Sequence, residues 1–172
     1  QAGYSRRLQH YHAKRGHWLR VDWGLYRLRD FPTSPHEDLV RWYLWSRSQA
    51  VVSHETAAAF HGLGDYLPAA IHLSVSQGFR KPAPTGVVLH RSRFAKKEIA
   101  DAEGFRITTP LRTILDLIDS YSESDRLIGA LRDALERGAI RRRKIESEIA
   151  RLKGKARRHA QQILAMVMES TS

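Results

Sequence analysis

The chain has 172 residues, no cysteine and a formal net charge of +11. Those facts exclude a disulfide framework, a thiol nucleophile and a cysteine-ligated zinc. No run approaches the roughly 18 apolar residues of a membrane span and no secretory apolar segment opens the chain, so the expectation is a cytoplasmic protein without membrane contact. Hydrophobic residues make up 42% and charged residues 27%, enough for a packed core. The charge is concentrated at two places. Residues 1–29 hold seven Lys/Arg against one acid, and residues 137–159 hold ten against two, while the remainder is mildly acidic. Two basic regions around an acidic middle suggest two contacts with a polyanion, or a solvated basic helix in the case of the second.

At the N-terminus a helix is expected over residues 4–15. At 100° per residue Tyr4, Leu8 and Tyr11 share one face. The other face carries Arg6, Arg7, Gln9, His10, Ala13 and Lys14, with Arg15 at the end of the helix. Arginine, glutamine and small side chains reach base edges in a major groove, and lysine reaches phosphate. Gly16 stops the helix. Two short strands follow, at Trp18–Val21 and Leu25–Leu28, around a turn at Asp22, Trp23 and Gly24, with Arg20, Trp23 and Arg27 on this wing. A helix that runs into a two-stranded wing is the second half of a winged helix-turn-helix. The alternative is a surface helix with a solvated cationic face and a structural hairpin. The winged-helix reading implies two further helices ahead of Gln1, on the order of 30–45 residues.

Residues 31–35, Phe-Pro-Thr-Ser-Pro, have linker composition and mark the boundary between residues 1–31 and a second domain over 35–172. Thr33 or Ser34 can cap the next helix, over 35–46, with Glu37 and Asp38 in its first turn. Ala50, Val51 and Val52 read as a buried strand, and Ser53 as the cap of a helix over 53–63. Ile71, Leu73 and Val75 alternate with His72 and Ser74, which marks a half-buried strand. Residues 87–90 and 105–107 add two strands. Thr109 and Pro110 open an amphipathic helix with Leu111, Ile114, Leu115 and Ile118 on one face, and Arg112 and Asp116 four residues apart on its outside. Helices over 123–137, 140–152 and 155–168 complete a helical C-terminal third. The fold class is therefore α+β: the end of a winged helix-turn-helix, then an α/β domain with a small sheet and that helical third. The second basic patch comprises Arg141, Arg142, Arg143 and Lys144, with Lys153, Lys155, Arg157 and Arg158 at the start of the last helix. Cations there oppose the helix dipole, and anion contact gives them a reason.

Catalytic chemistry is hard to find. His10 and His12 point about 160° apart on a helix, and no H-E-x-x-H occurs. His54 and His61 lack a carboxylate at ligand spacing, so no metal is expected. Asp101 and Glu103 lack the lysine that commonly follows a nuclease's acids, and the eleven glycines sit singly rather than in a phosphate cradle. Ser53 beside His54, and His72 near Ser74, have no third group to orient them. The chain reads as a binding protein, without cofactor or catalysis of its own.

The succession of a wing ending in G-L-Y-R-L, then V-S-H-E-T-A-A-A-F-H-G-L, I-H-L-S-V, G-V-V-L-H and E-G-F-R-I-T-T-P-L-R-T-I-L-D-L resembles the AbiEi-type antitoxins of bacterial AbiE (type IV) toxin–antitoxin systems. The likeness spans residues 24–119, and 52–63 and 108–117 are its most distinctive parts. It implies an N-terminal winged helix that binds inverted repeats and represses the operon. It further implies a C-terminal domain that opposes a nucleotidyltransferase-like toxin, and a basic surface there that assists DNA binding. Carried onto this chain, the DNA contacts fall on Arg6, Arg7, Gln9, His10, Lys14, Arg20, Trp23 and Arg27. The antitoxin candidates are His54, Glu55, Arg112 and Asp116, for which helix capping and a surface ion pair are the plainer readings. The chain departs from the family in starting inside the winged helix, and in being shorter at its C-terminal end than many relatives. Two other hypotheses remain: a protein-interaction module that binds an acidic toxin directly, with DNA secondary, and a metal-dependent nuclease or toxin-modifying enzyme.

Overall fold

The computed structural model describes residues 4–22, 25–32, 34–120 and 124–170. Its first unit is helix α1 (Arg6–Lys14) followed by strands β1 (Trp18–Asp22) and β2 (Leu25–Leu28), which pair antiparallel with Trp18 opposite Leu28. Ser5 caps α1 through its Oγ, which accepts from the Leu8 amide at 3.3 Å. Gly16, at φ +73°, closes the helix, and its amide bonds back to the Ala13 carbonyl. The turn at Trp23 and Gly24 and the capping role of Thr33 lie outside the described residues.

The second unit begins with α2 (Glu37–Trp45), then β3 (Val51–Val52), α3 (His54–His61), β4 (Ile71–Val75), β5 (Val87–Arg91), a 3-10 turn at Lys96–Glu98, β6 (Ile99–Asp101) and β7 (Arg106–Thr108). The sheet order is β5-β4-β3-β7-β6. Strand β3 lies at its centre although it has only two residues. Val52 faces Leu73 of antiparallel β4 on one side and Ile107 of parallel β7 on the other. Both β3 residues are buried, as a central strand covered on both faces requires. The parallel pairing of β4 with β5 sets Ser74 opposite His90. Against the sheet pack Leu39 and Trp42 of α2, Ala57 of α3 and Phe105.

The chain ends in four helices, α4 (Pro110–Asp119), α5 (Ser124–Glu136), α6 (Arg142–Arg151) and α7 (Gly154–Glu169). Ile114, Leu117 and Ile118 of α4 recur at helical spacing and are fully buried. They meet Leu127 and Leu131 of α5, Ile145 of α6 and Ile163 of α7 in a second core. Gly64, at φ +61°, lets the loop after α3 lie against α5: a Cβ there would stand 3.0 Å from the Ala130 nitrogen and the Arg126 carbonyl. Its amide donates to Asp133 Oδ2 at 2.8 Å.

The observed α+β class agrees with the sequence reading, with local differences. Strand β6 has no counterpart in that reading, because three residues show too little alternation to register. Ser53 and Thr109 occupy the cap positions of α3 and α4, but neither hydroxyl caps its helix. No described helix is long and apolar enough to cross a membrane.

Candidate nucleic-acid interface and a histidine cluster

In the first unit, Trp18 organises the packing. The Tyr4 ring meets it edge-on at 5.1 Å, the His12 ring stacks on it at 4.8 Å, and Tyr26 lies at 5.8 Å. These contacts fix the side of α1 that faces the hairpin. Arg6, Arg7, His10 and Lys14, 100° steps around the helix, are turned away from Trp18 and exposed. Arg15 is exposed too, with its guanidinium 5.4 Å from the Tyr11 ring centroid. Gln9 is half-buried, and its side-chain amide donates to the Tyr4 carbonyl at 2.9 Å. Arg20 is exposed on β1. Arg27 is held inward, its Nε 2.8 Å from Glu37 Oε1 and its Nη2 donating to the Phe31 carbonyl at 3.2 Å. It ties the hairpin to α2. Trp23 lies outside the described residues.

The second basic patch is exposed throughout, at residues 141–144 and at Lys153, Lys155, Arg157 and Arg158. Neither α6 nor α7 has an acid in its first turn or a side-chain cap. Along α6, Arg142 pairs with Glu146 at 2.8 Å, and Lys144 with Glu148 at 2.6 Å. The Lys144 hydrogen bond, aided by Arg151, holds the Glu148 carboxyl below its usual range. Arg141 and Arg143 form no ion pair among the described residues.

A different chemistry gathers where β3 runs into α3. His54 begins α3 at φ +51°, a left-handed conformation that costs a non-glycine residue roughly 1–3 kcal/mol. It is buried, and its Nδ1 lies 2.9 Å from Ser53 Oγ. Ser74 Oγ donates to the same Ser53 oxygen at 2.7 Å. The His90 ring stacks on His54 at 3.5 Å, and His90 Nε2 is hydrogen-bonded to His72 Nδ1 at 3.0 Å. Burial, then the neighbouring His90, His72 and Arg112, pushes His54 down to about 3. Burial and His72 push His90 down to about 4. Burial also lowers His72, with Glu55 acting in the opposite direction. All three rings are neutral at pH 7. Among the described residues no group of three or more histidines and carboxylates is placed to hold a metal ion.

Next to His54, Arg112 of α4 bonds Asp116 Oδ1 at 2.7 Å and Glu98 Oε1 at 3.3 Å, and it lies over the Phe94 ring at 4.8 Å. This corrects the reading of Arg112 and Asp116 as an ion pair on the outside of the helix. Asp116 is only 4% exposed, because α4 turns that face toward the interior. Burial raises its carboxyl to about 6 against the pull of Arg112, and its Oδ2 has no hydrogen-bond partner among the described residues. The capping role for His54 and Glu55 is corrected as well, since the His54 ring turns to Ser53 and His90. The antitoxin candidates His54, Arg112 and Asp116 thus converge, and Glu55 reaches the group through His72. The sequence points to neither His90 nor Glu98, and it offers His72 and Ser74 only as a pair without a third group to orient them. Ser74 and His72 alternate visibly on one strand, but their companions arrive from another strand and from the turn at Lys96–Glu98.

Residues 49–166 match the family model of the AbiEi antitoxin C-terminal domain. The chain belongs to the AbiEi antitoxin family. The AbiEi match contains the sheet, the histidine cluster and most of the helical third, while α1, the hairpin and α2 precede it. No curated protein matches the sequence. The fold is similar to that of the RV2827C protein from Mycobacterium tuberculosis, at 14% identity and a TM-score of 0.66. The likeness covers 95% of this chain and 66% of that one, and at this identity it is a likeness of fold.

Proposed function

We propose that the protein is a DNA-binding antitoxin that represses its own toxin–antitoxin operon and counteracts a nucleotidyltransferase-like toxin. The observation that carries the DNA half is the orientation of α1. Its Trp18 side is anchored on a hairpin, and the opposite side offers Arg6, Arg7, His10 and Lys14 to solvent. A helix held in this way on a two-stranded wing suits a major groove. The exposed cations Lys153, Lys155, Arg157 and Arg158 add sequence-independent phosphate contacts, each steepening the salt dependence by about 0.9. The domain over residues 35–172 carries the antitoxin half, and family membership supports it. The action takes place in the cytoplasm and uses no catalysis by this chain.

Fluorescence anisotropy against the duplex upstream of the gene, with a shuffled duplex as control, tests the first half. A preference that persists at physiological salt is expected. Arg6→Ala or Arg7→Ala should narrow it by about 1–3 kcal/mol for each base edge no longer read, whereas neutralising Arg157 and Arg158 should weaken both duplexes alike. Equal, salt-labile binding to both duplexes overturns the reading. Co-expression with the toxin tests the second half, with growth rescue expected. The direct protein-binding reading draws on exposed Val21, Leu28, Phe31 and Leu44, which line a groove of about 760 Å³ between the hairpin and α2.

A further inference from the structure

Between the start of α4 and the start of α6 lies a cleft of about 570 Å³, within the size range of small-molecule sites. Its walls divide by chemistry. Leu111 and Ala139 give a small apolar floor over the buried Ile140, and Arg141, Arg143 and Lys144 stand around it. Among the described residues no carboxylate lines it. Lys144 shares its charge with Glu148, but Arg141 and Arg143 have no acidic partner among the described residues. The groove beside the hairpin offers a contrast, because Glu37, Asp38 and Glu103 line it together with two arginines.

The apolar floor distinguishes this cleft from an ordinary cationic surface. A bare anion gains nothing from Leu111 and Ala139. A phosphate attached to a flat, weakly polar body uses both halves of the site. Unpaired guanidinium groups grip phosphate in pairs of hydrogen bonds and also lie flat on aromatic rings, which lysine does not do. We propose that this cleft binds a nucleoside polyphosphate, with the base over Leu111 and the phosphates held by Arg141 and Arg143. Ala139, exposed in the connection between α5 and α6, borders the place of the base. The site lies in the AbiEi domain, apart from α1, and does not depend on the DNA reading.

The test uses the full chain and N-methylanthraniloyl-ATP, titrated by fluorescence at about 0.15 M salt, with inorganic tripolyphosphate as competitor. Saturable binding is expected. Arg141→Ala and Arg143→Ala should each weaken it tenfold or more, and Ala139→Trp, which fills the floor without touching a charge, should weaken it comparably. All three positions are exposed, and unchanged thermal melts would confirm that the variants fold. Tripolyphosphate should compete at least tenfold less well than ATP. Arg6→Ala should leave nucleotide binding intact, which separates this site from the proposed DNA contact. Absence of saturable binding overturns the proposal. So does equal competition by tripolyphosphate, which would mark a general anion surface, and so does indifference to Ala139→Trp.

Discussion

Residues 4–32 are held together by aromatic rings around Trp18, and no residue of α1 is buried. Beyond residue 34 the helical core is built from aliphatic side chains of α4, α5, α6 and α7 with almost no exposure to solvent, and the sheet core adds the buried rings of Trp42, Phe79 and Phe105. The difference follows from size. A helix and a hairpin cannot enclose a core, so rings that cover one another edge-on supply most of the packing area. The larger region excludes water from whole layers, and a region of that size is expected to unfold cooperatively. The small unit therefore has chemical groups to spare for its surface. Arg6, Arg7, His10 and Lys14 stand exposed on it.

The sharpest test of this contrast removes one anchor from each region. Leu131→Ala opens a cavity in the helical core and should cost about 2–5 kcal/mol. In a domain of this size that lowers the main melting transition by roughly 6–15 °C. Trp18→Ala removes the hub of the hairpin and should move the same transition by less than about 2 °C, while abolishing any sequence preference for DNA. Calorimetry on both variants decides. A comparable fall in both would show that the two regions melt as one and that the contrast between them is not an energetic one.

The histidine cluster gives the AbiEi domain a pH dependence. His54 and His90 titrate at about 3 and about 4 when folded, below the ordinary 6.5. Their folded-state pKa values are depressed, so between pH 6.5 and 4 the unfolded chain binds protons that the folded chain refuses. Stability is then highest above pH 6.5 and falls as the pH drops. Asp116 acts in the opposite sense. Its raised value, about 6, means that protonation between pH 6 and 3.8 relieves a burial cost and offsets part of the loss. His61 and His72, also lowered by burial, act in the same direction as His54 and His90, so the net expectation is a loss of stability between pH 7 and pH 4, read by urea titration. His54→Asn, which tolerates positive φ, should flatten that slope. An unchanged slope would place the acid sensitivity elsewhere.

The same cluster marks the limit of what is legible in the sequence. The α4 helix is legible because Thr109, Pro110 and the apolar spacing are local signals, and so is the four-residue spacing of Arg112 and Asp116. The burial of Asp116 is not legible, since it depends on Glu98 and on the packing of α3 against α4. His72 and His90 are eighteen residues apart, and the parallel register of β4 with β5 brings them to 3.0 Å. Ser53 announces a helix start, yet its hydroxyl serves His54 and Ser74, a choice made by the adjacent strand. In the first unit the reverse holds. Helix, glycine stop and paired strands are contiguous in sequence and can be foreseen, whereas the inward turn of Arg27 and the bond of Gln9 back to the Tyr4 carbonyl cannot.

That turn of Arg27 offers the smallest but most discriminating change. Arg27 and Glu37 are 28% and 37% exposed, and pairs of this kind contribute about 0–1 kcal/mol. Glu37→Gln should therefore leave the melting transition within about 1–2 °C of the parent. Its effect belongs to the junction, because the pair is a polar link between the hairpin and α2. Amide exchange at residues 25–28 should quicken several-fold, and exchange in α4 and α5 should stay as it was. The same variant weighs two roles for Arg27. As a phosphate contact it must first leave Glu37, so removing that carboxylate's charge should raise DNA affinity two- to fivefold. As a tether only, it should leave affinity unchanged or lower it as the hairpin loosens. Stronger binding together with faster exchange would show that the hairpin is held in check by the domain it serves.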